Sequence, residues 1–235
     1  MNDLKTSRMP SKLLWLIVIL PTMLILNAGS RDSVAADKPH NFARWEKAIA
    51  AFERSDAKAA PAKNGLLFVG SSSIRLWKLS RSFPKLKPTN RGFGGSQIID
   101  SVHFAEQLIL KHKPQTVVLY AGDNDIAVGK KAPQVAADFR KFVETIHAKL
   151  PKTKILFIAI KPSIKRWNLS GEMKRANTLI AKQCEKNPRL VYIDIFRPML
   201  GKDGKPRGEL FAKDGLHLNG SGYALWTSVL KPLLK

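Results

Sequence analysis

The sequence predicts an α/β protein in which a five-stranded parallel sheet lies between two layers of helices. Short apolar runs alternate five times with amphipathic segments, after one opening helix. The runs are too short for helices and are bounded by Gly, Ser or Asn, which is typical of strands buried on both faces. Strands separated by helices pair in parallel through right-handed crossovers. The 235 residues, 44% hydrophobic and 25% charged, fit one globular domain with short extensions.

The first half of the chain contains the opening helix and two of the strands. Residues 41–57 form an amphipathic helix, because Phe42, Trp45, Ile49 and Phe52 recur at spacings of three and four. A strand follows at 66–70 and leads into three serines. We expect a short helix over 74–79, a linker over 84–88 and a weak second strand that ends near Asn90.

The second half repeats the unit of strand and helix. Glycines at 92–95 separate the second strand from a helix whose apolar stripe is Ile98, Val102, Ala105 and Ile109. The remaining strands are predicted at 116–120, 154–160 and 190–195, and the remaining helices at 132–150, 173–187 and around 224–230.

Residues 1–35 have the layout of a secretory signal peptide. Basic residues precede an apolar run over 13–26, and small residues follow, with Ala35 or Ala36 as the cleavage position. The alternative is an uncleaved membrane anchor, but the run is short of the roughly 20 residues that a spanning helix needs and contains Pro21. We therefore expect an exported protein, periplasmic or secreted, with 36–235 as one catalytic domain.

The net charge limits the classes of binding partner, and the cysteine content indicates the role of the one thiol. Lys and Arg number 40 against 18 Asp and Glu, a net charge of +22. The lysines are scattered and do not interleave with aromatic residues, which excludes a nucleic-acid module. Anionic surface polymers or lipids remain candidate partners, as does a solvated basic surface. The single cysteine, Cys184, shares a helical stripe with Met173 and Ile180 and is expected to be a buried structural thiol.

One serine run and one acid–base pair suit nucleophilic catalysis. Serines 71–73 follow the first strand, where ligands bind in open α/β sheets. A serine hydroxyl needs a base to accept its proton and a group that orients the base. Of the five histidines, only His217 is predicted in a loop beside an acid, Asp214, and a spacing of three lets the carboxylate reach Nδ1 while Nε2 faces outward.

Other chemistries are poorly supported by the sequence. Gln97 interrupts a dinucleotide fingerprint, no phosphate-binding G-K-[ST] occurs, and no zinc or calcium pattern is present, so no cofactor or metal is expected. Asp123 and Asp125 form a carboxylate pair of the kind that glycosidases use, although both are more simply loop residues that bond local backbone. The predicted loop 161–171 carries Lys161, Lys165, Arg166 and Trp167, which either touch a substrate or cover the crevice rim.

Four separated motifs resemble, in order, those of the SGNH (GDSL-like) hydrolase family of serine esterases. They are FVGSS at 68–72, NRGFGG at 90–95, GDN at 122–124 and DGLH at 214–217. The resemblance implies a flavodoxin-like three-layer α/β/α sandwich and ester hydrolysis without a metal. It implies Ser72 as nucleophile, His217 as base and Asp214 as acid. The N–H groups of Ser72 and Gly95 and the side-chain amide of Asn124 would form the oxyanion hole.

One departure from the family pattern concerns the nucleophile. The usual Gly-Asp-Ser reads Gly70-Ser71-Ser72, so Ser71 and Ser73 remain alternatives to Ser72. Few large apolar residues other than Phe93 and Trp167 lie in the predicted loops, which favours short acyl groups, of the sugar acetyl ester or lysophospholipid type. The alternative to an enzyme is a non-catalytic basic domain that binds an anionic surface polymer.

Overall fold

The five strands form one parallel sheet in the order β2-β1-β3-β4-β5, which confirms the predicted fold class. The computed structural model describes residues 40–234, so the predicted signal peptide and the anchor alternative lie outside the described residues. The strands are β1 (Leu66–Gly70), β2 (Thr89–Gly92), β3 (Thr116–Tyr120), β4 (Lys154–Ile158) and β5 (Leu190–Ile193). β1 lies between β2 and β3, so the carboxyl ends of these three strands are adjacent.

Nine α-helices connect the described strands or flank them. They are α1 (Glu46–Lys58), α2 (Ser72–Arg75), α3 (Leu79–Ser82), α4 (Ile98–His103), α5 (Ala105–Leu108), α6 (Asp123–Ala127), α7 (Ala132–Lys149), α8 (Ser170–Glu185) and α9 (Gly220–Leu230). A 3₁₀ turn, Ala43–Trp45, leads into α1. Over residues 40–234, no helix combines the length and the apolar character that crossing a membrane requires.

Each face of the sheet is covered by its own hydrophobic core. Successive side chains of a strand point to opposite faces, so Leu67 and Val69 pack with α1, α4, α7 and α8, whereas Phe68 packs with α2, α3 and α9. Trp226 is the largest fully buried side chain of the second core. Cys184 is buried in the first core, as its helical stripe predicted.

Several strands and helices begin or end at residues other than those predicted from the sequence. β2 continues to Gly92 because its backbone pairs with β1 through that residue. The first short helix begins at Ser72 and ends at Arg75, and the helix predicted over 98–109 is divided at Phe104. β4 ends at Ile158 instead of 160, and β5 ends at Ile193 instead of 195.

Asn177 of α8 fixes the chain just beyond β4. Its Oδ1 accepts a hydrogen bond from the Ile160 N–H at 2.8 Å, and its Nδ2 donates to the Ile160 carbonyl at 2.9 Å. Both backbone groups are thus paired with a buried side chain and not with a neighbouring strand. The following loop, which reaches the site described below, therefore starts from a fixed point.

We expect Asn177→Ala to lower the free energy of unfolding by about 2–4 kcal/mol, because it leaves the buried N–H and C=O of Ile160 unpaired. Urea denaturation measures this change. Thr178→Ala, at the exposed neighbouring position, is the matched control and should change stability by less than about 0.5 kcal/mol. Equal effects of the two substitutions would contradict the role of the Asn177 amide.

Candidate active site

The junction between β1 and α2 requires a glycine. Gly70 has φ of +133°, and a Cβ on it would lie 1.9 Å from the carbonyl oxygen of Tyr120 on β3. Directly after it, the Ser71 N–H donates to that same carbonyl at 2.9 Å. The chain therefore turns sharply at the carboxyl edge of the sheet, and Ser72 is the first residue of α2.

Ser72, His217 and Asp214 form one hydrogen-bonded chain. The Ser72 hydroxyl lies 3.1 Å from His217 Nε2, and His217 Nδ1 lies 2.5 Å from Asp214 Oδ2. The two neighbouring serines differ from Ser72, which is partly exposed. Ser71 and Ser73 are buried, and Ser71 Oγ has no hydrogen-bond partner within residues 40–234. The geometry thus singles out Ser72 among the three.

The loop that carries His217 orients the imidazole through Asp214. Asp214 Oδ1 accepts hydrogen bonds from the N–H groups of Leu216 and His217, each at 2.9 Å. The Leu216 N–H, the His217 imidazole and the His217 N–H hold the pKa of Asp214 well below its usual range. Because the carboxylate is ionised at neutral pH, Nδ1 of His217 donates to it and Nε2 accepts the Ser72 proton.

The glycine loop after β2 packs against α2. A Cβ on Gly92 would lie only 2.2 Å from the backbone nitrogen of Arg75. Because glycine has no Cβ, the loop can lie this close to the helix that begins at Ser72. Gly95 is exposed and has φ of +78°, a conformation that favours glycine. Within residues 40–234, the N–H groups of Ser72 and Gly95 donate to no protein acceptor. Both are available to a ligand.

Asn124 lies in the first turn of α6 and is held at both ends of its amide. Its Nδ2 donates to the Ser96 carbonyl at 2.9 Å, which joins it to the residue after Gly95. Its Oδ1 accepts from Nη1 of Arg166 at 3.0 Å. One Nδ2 hydrogen goes to Ser96, so the second is left for a ligand.

A buried charge cluster adjoins Asn124, and sequence reasoning did not find it. Nη1 of Arg166 lies 3.2 Å from Asp123 Oδ2, and Nζ of Lys161 lies 3.5 Å from the same oxygen. Burial lowers the pKa of Lys161, and Asp123 opposes that effect. The sequence placed both cations in the loop after β4, but no spacing rule indicates which long side chains fold back onto α6.

The two aspartates of the glycosidase alternative have structural partners, and both lie on α6 and not in a loop. Asp123 is paired with Lys161 and Arg166. Asp125 is fully buried and accepts from the N–H of Ile98, which is distant in sequence, so its partner is not local backbone as expected. Both carboxylates are buried among these partners, which gives the glycosidase alternative no support.

Burial raises the pKa of Asp125 to about 6, although Lys130 opposes the shift. A raised native pKa means that the folded state binds this proton more tightly than the unfolded state does. The residue therefore favours folding most below pH 4, and that contribution is lost as pH rises through about 6. Asp125→Asn keeps the acceptor for Ile98. We expect its free energy of unfolding to rise by about 2.5 kcal/mol relative to that of the parent as pH rises from 4 to 7. Urea denaturation at both pH values tests this, and a pH-independent difference contradicts it.

No cluster of three or more His, Cys, Asp or Glu side chains suitable for a metal ion occurs in the described part of the chain. The groups that the structure gathers at the carboxyl edge of β1 and β3 are instead a hydroxyl, an imidazole, a carboxylate and free N–H donors. These groups suit attack on a carbonyl carbon and stabilisation of the oxyanion that results.

Solved structures with the same fold come from several bacteria. A protein from Streptococcus pneumonia, provisionally named a platelet activating factor, is 20% identical with a TM-score of 0.74, and the match covers 81% of this chain and 92% of that one. A GDSL-like lipase from Bacteroides thetaiotaomicron is 20% identical, with a TM-score of 0.65 and coverage of 83% and 97%. An acetylxylan esterase from Geobacillus stearothermophilus, solved as a catalytic variant, is 14% identical, with a TM-score of 0.61 and coverage of 74% and 94%.

The fold and the family comparison together define an ester hydrolase built on a flavodoxin-like sheet. The model of the GDSL-like Lipase/Acylhydrolase family matches residues 73–225, and the chain belongs to that family. The matched residues include Gly95, Asn124, Asp214 and His217 and begin one position after Ser72. Just before it, Ser71 stands where the family's Gly-Asp-Ser has its aspartate. No curated protein matches the chain.

Proposed function

We propose that this chain is an exported serine esterase that hydrolyses carboxylic esters of short acyl groups, with Ser72 as nucleophile, His217 as general base and Asp214 as the orienting acid. The observation that carries the proposal is the hydrogen-bonded chain from Asp214 through His217 to Ser72, with distances of 2.5 and 3.1 Å. This chain lies beyond the strand ends where ligands bind in open α/β sheets.

The reaction proceeds in two halves. Ser72 Oγ attacks the ester carbonyl carbon while Nε2 of His217 takes the hydroxyl proton, and Asp214 stabilises the imidazolium. The tetrahedral intermediate collapses, His217 returns the proton to the leaving alcohol, and an acyl-Ser72 ester remains. His217 then deprotonates a water that attacks this ester, which releases the carboxylic acid and regenerates the serine.

Three donors are proposed to stabilise the oxyanion: the N–H groups of Ser72 and Gly95 and the free Nδ2 hydrogen of Asn124. The first two donate to no protein acceptor within residues 40–234, and the third is left over after the Ser96 contact. A donor of this kind contributes about 3 kcal/mol to transition-state stabilisation.

Arg166 orients the Asn124 amide in this proposal, because it donates to Oδ1 and so turns Nδ2 toward the site. We expect Arg166→Met to lower kcat by about tenfold with little change in KM, since the lost orientation matters most when the oxyanion forms. Steady-state kinetics on a 4-nitrophenyl ester measure the split. The neighbouring exposed Lys165→Met is the matched control, and equal kcat values for the two variants would contradict the role of Arg166.

Short acyl groups are supported by the surroundings and by one comparison. Arg166 donates to the Asn124 amide, so a charged side chain adjoins the proposed oxyanion hole, and the acetylxylan esterase has the same fold. Turnover of 4-nitrophenyl esters from two to twelve carbons measures the preference. Highest kcat/KM at two to four carbons supports the proposal, whereas a maximum at eight or more assigns longer chains.

A fluorophosphonate probe tests the nucleophile directly. We expect the parent to be labelled at Ser72, as mapped by mass spectrometry of the labelled peptide, and Ser72→Ala to remain unlabelled. Labelling of Ser71 or Ser73 would reassign the nucleophile. If the parent were neither labelled nor active on any ester, the non-catalytic binding domain would replace the esterase.

Export is proposed from sequence features alone, namely the basic residues, apolar run and small residues of 1–35. Expression of the full chain in a bacterial host with a signal peptidase, followed by N-terminal sequencing, tests it. A mature protein that begins at Ala36 or Asp37 supports cleavage. An intact chain in the membrane fraction supports the anchor, and an intact chain in the cytoplasm overturns export.

A further inference from the structure

Two arginines lie against the glycine loop that carries a proposed oxyanion donor. Arg75 comes from α2, and Arg44 comes from the 3₁₀ turn before α1. We propose that these two guanidinium groups bind a negatively charged group, a carboxylate or a phosphate, close to the ester that is hydrolysed. The inference rests on the proposed function and adds to it the charge class of the substrate.

Both guanidinium groups are close to the Gly94–Gly95 backbone. A Cβ built on Gly94 would lie 3.1 Å from Nε of Arg75, and one built on Gly95 would lie 3.8 Å from Nη2 of Arg44. Arg75 is only three residues after Ser72, on the same short helix. Two cations from distant parts of the sequence thus meet at one dipeptide beside the proposed nucleophile.

Arg44 is held in place by an aromatic ring. Its guanidinium carbon lies 4.3 Å from the centroid of the Trp45 ring, and Cη2 of that ring would be 3.2 Å from a Cβ on Gly95. A planar guanidinium stacked on an aromatic face loses less freedom when it binds a ligand. Arg44 is therefore partly ordered for binding and still exposed to solvent.

The carboxylates around the site do not neutralise these two cations. Within residues 40–234, neither Arg44 nor Arg75 forms an ion pair, whereas Arg166 is paired with Asp123. Asp123 is held by Arg166 and Lys161, and Asp214 is bonded to His217. Asp100, on the helix after the glycine loop, is bonded to His40 and to the Gln97 N–H.

Guanidinium groups match the planar geometry of a carboxylate and the oxygens of a phosphate, and they bind both through paired hydrogen bonds. The charged group would sit either on the acyl part, as in a half-ester of a dicarboxylic acid, or on the alcohol part, as in a phosphorylated or acidic sugar. The anionic chemistry is the same in both cases, and suitably matched substrates distinguish the two sources.

The experiment compares matched neutral and anionic esters on the same protein. For the alcohol side, 4-nitrophenyl acetate is compared with 5-acetoxy-2-nitrobenzoate, whose leaving group adds one carboxylate. For the acyl side, 4-nitrophenyl pentanoate is compared with the 4-nitrophenyl monoester of glutaric acid. The measured quantity is the ratio of kcat/KM for the anionic ester to that for its neutral match.

We expect a ratio of about ten or more for at least one pair in the parent, and the pair that shows it identifies the side that carries the charge. Arg44→Gln combined with Arg75→Gln should bring that ratio to about one. The control combines Lys152→Gln with Arg189→Gln, which removes the same charge from the exposed opposite edge of the sheet and should keep the parental ratio. Added NaCl should lower the ratio in the parent, because salt screens exposed charges.

Three results would overturn the inference, and they are distinguishable. If the parent hydrolyses neutral esters and is labelled by the fluorophosphonate but shows no preference in either pair, the anionic substrate is excluded while the esterase stands. If the double variant keeps the parental ratio, Arg44 and Arg75 do not bind the charged group, and the esterase again stands. If the parent is neither labelled nor active on any of the four esters, the proposed function fails and the inference fails with it.

Discussion

Ser72→Ala is expected to lower kcat by about 10⁴- to 10⁶-fold on any ester that the parent hydrolyses, because no covalent acyl-enzyme can form without the hydroxyl. The hydroxyl is the group 3.1 Å from His217 Nε2, and alanine removes it without adding volume. Residual turnover would come from oriented water and the oxyanion donors. Steady-state rates on 4-nitrophenyl acetate, at enzyme concentrations high enough to exceed spontaneous hydrolysis, measure the loss.

The serine run provides the controls for this prediction. Ser71→Ala and Ser73→Ala remove hydroxyls that are equally near in sequence but buried, and each should retain activity within about tenfold of the parent. Urea denaturation of all three variants separates loss of chemistry from loss of fold. If Ser72→Ala kept more than about a tenth of the parental kcat while Ser71→Ala or Ser73→Ala lost it, the nucleophile would be reassigned.

The strands that the sequence predicted best are those whose identity depends on burial alone. β1 and β3 begin and end as expected, because a short apolar run between polar boundaries is typical of a strand buried on both faces. β2 was placed too early, since Thr89–Gly92 has no apolar pattern. Its extent is determined by backbone pairing with β1, which is a property of the neighbouring strand.

Short helices at the carboxyl edge of the sheet were poorly predicted for a related reason. α6 has the sequence DNDIA, in which two aspartates and an asparagine favour turns. It is helical because Gly122 adopts a positive φ before it and because Asp123 and Asp125 bond to groups from other elements. Such tertiary partners leave no periodic signal in the sequence.

In the candidate site, too, the contacts between residues close in sequence could be predicted, whereas those between distant residues could not. Asp214 and His217 are three residues apart, so their hydrogen bond follows from local geometry that the sequence predicts. Which serine meets the imidazole is decided by a contact across 145 positions, so the motif favoured Ser72 but left Ser71 and Ser73 as alternatives until the structure placed the Ser72 hydroxyl beside His217. The contact of Arg166 with Asn124 depends on how a long side chain folds across 42 positions, which no motif indicates.

Asn124→Ala is expected to lower kcat by two to three decades with little change in KM, about 3–4 kcal/mol of lost oxyanion stabilisation, because the Nδ2 donor acts mainly when negative charge develops on the carbonyl oxygen. Asn124→Asp tests whether hydrogen-bond donation or side-chain shape matters. Aspartate has the same shape and keeps an oxygen for Arg166, but it replaces the Nδ2 donor with an oxygen that repels the oxyanion. We therefore expect Asn124→Asp to be at least as impaired as Asn124→Ala, although its contact with Arg166 is stronger. Single-turnover kinetics with the fluorophosphonate, whose reaction also places negative charge on an oxygen at this position, should show the same order. An Asn124→Ala variant as active as the parent would mean that the Ser72 and Gly95 N–H groups hold the oxyanion alone.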